Sequence, residues 1–226
     1  MPEALSAFFG QYGHLLVEGT RDTLIMTFIS TFFAYVIGLP LGVLVNITQP
    51  HGIWPKKTLN RVLGWVINIG RSLPFIILMI VLLEFTKLIV GTKLGVRGAI
   101  PPRVISAAPF LARMVEISLA EVDAGLVEAA QSMGASVPQI VRKVFLPEAK
   151  PSLVLGASTS IITILGYTAI AGAIGAGGLG DLAVRYGLHR FTPSMMWASV
   201  ILVVVLVQII QTIFSLLSTR MDKRLR

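Results

Sequence analysis

No cysteine occurs anywhere in the 226 residues, which excludes disulfides and thiolate metal sites and leaves the redox compartment open. Histidine is almost as scarce, and His14, His51 and His189 stand too far apart to suggest a ligand cluster. Charged side chains make up only 13% of the chain against 54% hydrophobic ones, and the mean hydropathy of +0.81 lies well outside a soluble globular profile. No G-x-x-x-x-G-K-[ST] is present, so ATP is not bound through a P-loop in this chain. The first residues, MPEALSAFFG, lack a basic n-region, and no cleaved signal peptide is expected from them. The formal charge of +8 names no partner by itself, because Lys and Arg of membrane proteins collect in cytoplasmic loops beside anionic lipid.

What remains is apolar sequence of membrane length. Residues 23–45 carry no charge and would span about 34 Å as a helix, enough for a hydrocarbon core of about 30 Å. Gly38, Pro40 and Gly42 lie inside this segment, which implies a kink facing protein, where neighbours can satisfy the freed backbone groups. Leu59, Val62, Leu63, Val66 and Ile67 then form one apolar stripe behind Lys56, Lys57 and Arg61, the pattern of a helix on the cytoplasmic surface that turns inward. Ser72 and Pro74 mark the start of a second span, 73–90, in which Glu84 and Lys87 are spaced to pair. A third span covers 99–119, with Pro101 and Pro102 at its entrance and Arg113 and Glu116 three apart near its exit. The fourth, 152–171, is uncharged and rich in small and hydroxyl residues, which favours close helix packing or a solute path over lipid contact. A fifth runs from 194 to 217 and precedes a basic tail, 218–226.

Five spans put the termini on opposite sides. The loops at 46–61 and 120–151 and the tail hold ten Lys and Arg, while the opposite set, which includes the stretch 91–103, holds six. This bias places the N-terminus outside and the C-terminus in the cytoplasm.

Two motifs compete for a functional reading. Gly175, Gly177 and Gly180 have the G-x-G-x-x-G spacing of a dinucleotide cradle, but no strand is expected before them and no acidic residue follows Asp181 until Asp222. The run is read instead as a flexible exit from the fourth span, with Asp181 capping a short outer helix and spaced four residues from Arg185. In residues 123–147, Asp123 is a cap for a helix that Gly134 ends, and Ser136 with Gln139 forms a capping box, with Pro138 in the first turn, for a second helix that stops before Pro147. Ala130, Gly134 and Ile140 also have helix-turn-helix spacing, but a loop held between two spans has no freedom to dimerise on an operator, and no nucleic acid is expected as a partner.

EAAQSMG, nine further residues in, reaches VFLP, and this arrangement resembles the EAA loop of the membrane subunits of ATP-binding-cassette importers. Glu128, Ala129, Ala130, Gly134, Leu146 and Pro147 match that pattern, and Val144 stands where isoleucine is usual. The similarity extends over about residues 19–214. GRSLPFIILMI, AAPFLARMVE and GYTAIAGAIGAGGLGDLAVRYG resemble the methionine-importer permeases in particular, although GAGGLG is shared with osmolyte permeases. The resemblance implies an all-α membrane protein of type I importer fold, with five transmembrane helices per subunit, a domain over 19–214, an N-terminal segment 1–18 and a cytoplasmic tail. It implies a homodimer in a bacterial inner membrane, an ATPase dimer that carries the ATP and magnesium, and a periplasmic or lipid-anchored methionine-binding protein. The chain itself then holds no cofactor, no metal and no catalytic residue.

Under that reading Leu126, Glu128, Ala129, Ala130, Met133, Gly134, Leu146 and Pro147 form the ATPase-coupling surface, with Ala129 and Ala130 keeping its helix slim. Ser160, Thr163 and Tyr167 are candidates for the translocation path, and Gly177, Gly180, Asp181 and Arg185 for an outer-face loop. A same-fold permease for another small polar solute and, more remotely, a membrane-tethered DNA-binding regulator are the alternatives.

Overall fold

The computed structural model describes residues 2–172 and 174–221. All regular structure among them is helical. In chain order the elements are α1 (Pro2–Ile47), α2 (Lys57–Ser72), α3 (Phe75–Val81), α4 (Leu83–Val90), α5 (Gly95–Ala120) and α6 (Ala124–Ser132). They are followed by α7 (Val137–Ile140), a π-helical stretch Val141–Phe145, α8 (Leu146–Glu148), α9 (Lys150–Gly172), α10 (Gly178–Leu182), a second π-helical stretch Ala183–His189, and α11 (Pro193–Met221). The part of the basic tail beyond Met221 lies outside the described residues.

Three helices have both the length and the hydropathy to cross a bilayer: α1 over Ser6–Ile47, α9 and α11. The bent pair α2 and α3 adds a fourth only if it is counted as one span. Helices cover the five expected segments, but with differences from the expected spans. The first is not a helix of 23–45 but continues from residue 2, because Leu16 and, behind it, Tyr12 and Leu15 pack against Leu179, Leu182 and Met195. The expected second span, 73–90, is two helices, α3 and α4, that meet at Leu82. The third, α5, is long enough but carries Arg97, Arg103, Arg113 and Glu116, which lower its hydropathy.

The chain divides into two compact units. The first comprises residues 1–32, 74–104 and 161–210 and holds two apolar cores. One joins Met26, Phe75, Met79, Ala99, Ala171 and Ala176; the other joins Leu16, Leu179, Leu182 and Met195. Glu84 here pairs with Lys93, beyond the end of α4, and not with Lys87 as its helical spacing suggested.

The second unit comprises residues 33–73, 105–160 and 211–226. In it α1 and α5 run parallel in intimate contact. A Cβ on Gly38 would lie 2.8 Å from Leu111 Cβ, and one on Gly42 would lie 2.5 Å from the Ala112 carbonyl oxygen. Both glycines are buried and Pro40 is exposed, so it is the glycine face, not a proline kink, that meets protein.

α2 belongs to the same unit. Ser72 does not cap the second span; it is the last residue of α2, and its hydroxyl donates to the Asn68 carbonyl. The apolar stripe foreseen on α2 splits into two faces. Leu63 and Ile67 pack with Val45 and Ala112, while Leu59, Val62, Trp65, Val66 and Ile69 are exposed. Asn60 fixes the helix by donating to the Val45 carbonyl (2.8 Å) and to Thr48 Oγ1 (3.2 Å). An exposed apolar face beside Lys57 and Arg61 suits the boundary between headgroups and acyl chains.

Candidate functional site: a braced helical knob

Residues 123–147 fold as two short helices around a left-handed turn. Asp123 Oδ1 accepts from the Gly125 amide at 2.8 Å, which satisfies one of the unpaired donors at the start of α6. α6 ends at Met133, and Gly134 follows at φ +77°, a conformation that a side chain would strain by crowding the next carbonyl. Gln139 Oε1 then accepts from both the Ser136 amide (2.8 Å) and the Ser136 hydroxyl (3.0 Å), holding the start of α7. The second helix does not stop before Pro147. It loosens into π geometry over Val141–Phe145 and continues through α8, where Pro147 sits in the first turn and costs no hydrogen bond.

The two sides of α6 differ sharply. Ala130 is buried against Ile140, Phe145, Ile47, Val115 and Leu119, so it braces the knob instead of slimming its outer face. Of the two alanines only Ala129 looks outward, in line with Leu126 and Met133, which are exposed. Met133, at 81% exposure, is the most prominent of these apolar side chains. Glu128 and Gly134 are exposed, and Leu146 and Pro147 are partly covered at the base of the second helix. The knob therefore presents a small apolar tip flanked by one carboxylate, while its inner face shares a core with the ends of α1 and α5. Helix-turn-helix packing of Ala130 onto Ile140 is real, but it serves this bracing.

Close to the base, Glu116 is buried and doubly held. Arg113 Nη1 donates to Glu116 Oε2 at 2.6 Å, a pair consistent with their spacing of three, and Gln49 Nε2 donates to Glu116 Oε1 at 3.1 Å, a partner that no local pattern announces.

The remaining candidate residues are dispersed. Ser160 is fully buried and its hydroxyl donates to the Gly156 carbonyl at 2.7 Å. Thr163 and Tyr167 are half-buried, and the Tyr167 ring stacks on Phe75 with centroids 4.3 Å apart. In the glycine run, Gly175, Gly177 and Gly178 all have φ near +80°, and Gly178 and Gly180 are buried. A Cβ on Gly180 would lie 2.3 Å from the Thr168 carbonyl oxygen, and one on Gly172 would lie 2.3 Å from the Asp181 amide. The run is thus a tightly packed corner, not a flexible exit. Asp181 does not cap its helix, since Gly177 holds the cap position; it pairs with Arg185 at 2.8 Å.

Sequence patterning missed one residue altogether. Arg103, counted among the cations of the 91–103 stretch, lies within α5 with no exposed surface. The signal was there: Ala99, Arg103, Ala107 and Leu111 recur every fourth residue, and all four are buried.

Membrane-length apolar helices and an exposed, braced helical knob together have the architecture of a membrane component that docks on a partner subunit. The chain belongs to the family of binding-protein-dependent transport system inner membrane components, whose model matches residues 38–226. It is 47% identical over 220 residues to the probable D-methionine transport system permease protein MetI of Vibrio cholerae, covering 97% of this chain and 98% of that one. It is 53% identical over 158 residues to the D-methionine transport system permease protein MetI of Salmonella typhimurium, covering 70% of this chain and 73% of that one. An inward-facing structure of the MetNI methionine ABC transporter contains a chain that superposes with a TM-score of 0.93 at 46% identity, covering 94% of this chain and 99% of that chain. The type I importer fold expected from the EAA pattern is therefore the fold of this protein.

Proposed function

We propose that this chain is the permease subunit of an ATP-driven methionine importer, working as a homodimer with a separate ATPase dimer and a methionine-binding protein. The near full-length relationship to methionine permeases carries the reading of the substrate. The exposed tip of Leu126, Glu128, Ala129 and Met133 supports the coupling role, because a rigid convex helix is what a cleft in a partner can grip. Its inner face is continuous with the ends of α1 and α5 through Ile47, Val115 and Leu119, so a push on the tip is passed to those helices and not absorbed by a loose loop. ATP and magnesium belong to the partner. Closure of the ATPases rocks the spans between inward-open and outward-open arrangements.

In this reading five segments span the bilayer, with the N-terminus outside, the knob and C-terminus in the cytoplasm, and residues 172–193 on the outer face. Ser160, Thr163 and Tyr167 border the solute path. Uptake of labelled methionine into vesicles that contain the permease, its ATPase and the binding protein, in the presence of ATP, tests the function. Uptake of a different solute to the exclusion of methionine would overturn the substrate. Orientation is tested on the naturally cysteine-free chain with single cysteines at Ser136, Leu188 and Thr219, all exposed positions. An impermeant thiol reagent should label only Leu188→Cys in intact cells.

A further inference from the structure

Arg103 has no exposed surface, and its Nε, Nη1 and Nη2 atoms all lack a hydrogen-bond partner. A guanidinium does not shed its proton, so an isolated one in a membrane interior carries a cost that only an acceptor can offset. Its own unit supplies no counter-charge from the described side chains. Asp22 pairs with Arg21, Glu84 with Lys93 and Asp181 with Arg185, and Glu18 is exposed. No described carboxylate of this unit is therefore free to serve as its counter-charge.

What lies beside Arg103 follows from the register of two parallel helices. Gly38 meets Leu111 and Gly42 meets Val115, and Met26 shares a core with Ala99 at the same offset along the sequence. One turn on from Met26 and Ala99, that offset sets Ser30 level with Arg103, with Thr27 and Thr31 flanking it on α1. The hydroxyls of Thr27, Ser30 and Thr31 are buried and, like the guanidinium, without partners. Unsatisfied buried donors and acceptors are rare in native proteins, and a guanidinium whose register sets it level with a run of such hydroxyls is chemically suited to a ligand that carries both acceptors and donors.

We propose that Arg103, with the hydroxyls of Ser30, Thr27 and Thr31, forms an intramembrane site for the carboxylate of the transported amino acid, visited during passage. The planar fork of Arg103 grips a carboxylate through two hydrogen bonds, and the hydroxyl oxygens accept from the adjacent ammonium group. Met26, Met79 and Phe75, one turn away, offer a soft apolar surface for a thioether side chain. This inference rests on the methionine-import reading given above.

The test uses the full complex with its ATPase and binding protein. Arg103→Met removes the charge at similar volume, and replacing a buried cation that holds no partner by an apolar side chain costs the fold little or nothing. The expected result is a complex with unchanged or raised thermal midpoint and ATP hydrolysis still stimulated by loaded binding protein, but with transport per ATP lowered about ten-fold or more. In nanodiscs, saturation transfer from the complex to the methionine methyl group should lose a component in Arg103→Met, and methioninamide, which lacks the carboxylate, should lack that component in the wild type. Wild-type transport by Arg103→Met overturns the proposal. Should Arg103→Met fail to assemble, Arg103→Lys decides: it keeps the charge but not the fork, so it should assemble and transport several-fold more slowly. Wild-type transport by Arg103→Lys, or failure of both variants to assemble, assigns Arg103 a structural role and removes the site. Methionine uptake by the wild type tests the functional reading separately; the ratio of variant to wild type, taken with whichever solute the wild type carries, tests the site.

Discussion

The knob at 123–147 and the glycine corner at 172–182 use the same backbone device for opposite purposes. Both turn on glycines near φ +80° and lead into a short helix. At the knob, Gly134 is exposed, and a Cβ there would meet nothing within 4 Å. Its requirement is purely conformational. At the corner, Gly172 and Gly180 have ordinary helical backbones, and what they supply is space, because neighbouring main-chain atoms lie within 2.3 Å of the missing Cβ. A glycine needed for direction leaves a surface free to meet a partner, whereas a glycine needed for contact marks a place where the chain meets itself. The family resemblance was carried by both stretches, yet only the first has a free outer face.

The largest effect should therefore come from the corner. Gly180→Val forces a Cβ into the Thr168 carbonyl, where backbone must move, and should cost about 3 kcal/mol, the upper part of the usual range for overpacking. The measurement is the thermal midpoint and membrane yield of the purified complex; a wild-type midpoint would show that the corner is as loose as its glycine content suggests.

A smaller loss of stability, with a sharper loss of function, is expected at the knob. Gly134→Val should cost about 1 to 2 kcal/mol locally, from Cβ contact with the following carbonyl, and tilt α6 without unfolding the spans. Glu128→Lys reverses an exposed charge and should leave the midpoint unchanged. Both variants should insert and dimerise, yet lose ATPase association or the stimulation of ATP hydrolysis by loaded binding protein. Normal transport in both would reduce the knob to a solvated connector and erase its contrast with the corner.

The smallest effect is expected where the corner reaches the surface. Arg185 is 48% exposed, and its pair with Asp181 is worth about 0.3 to 0.5 kcal/mol. Arg185→Ala should leave midpoint and transport close to wild type. A severe transport defect with an unchanged midpoint would give this stretch a role of its own, such as meeting the binding protein.

Much of this protein was legible from local pattern. Asp123, Gly134, Ser136 and Gln139 announced the knob's caps and turn correctly, since those hydrogen bonds join residues at most a few positions apart and depend on little else. The Arg113–Glu116 pair was readable for the same reason, and Glu84 shows the limit of that reasoning, because its partner Lys93 lies past the end of the helix. Ala129 and Ala130 are chemically identical neighbours, and only the packing of Ile140 and Phe145 decides that one braces and the other faces out. The extension of α1 to residue 2 was hidden because its amino-terminal turns hold polar residues and gain their stability from a distant core around Leu179 and Met195.

By itself, then, the sequence determined the solvent, the helical class and the two-helix knob, because hydropathy, capping and turn chemistry act over a few residues and need no knowledge of the rest. The tertiary structure decided which face of each helix is buried, that the glycine run is a packed corner, and that Arg103 is buried without a hydrogen-bond partner. Those outcomes depend on the register of helices that are far apart in the chain. A four-residue shift of α5 along α1 would leave every local pattern intact and give Arg103 different neighbours, and within its own unit the core that Met26 shares with Ala99 settles which register is adopted.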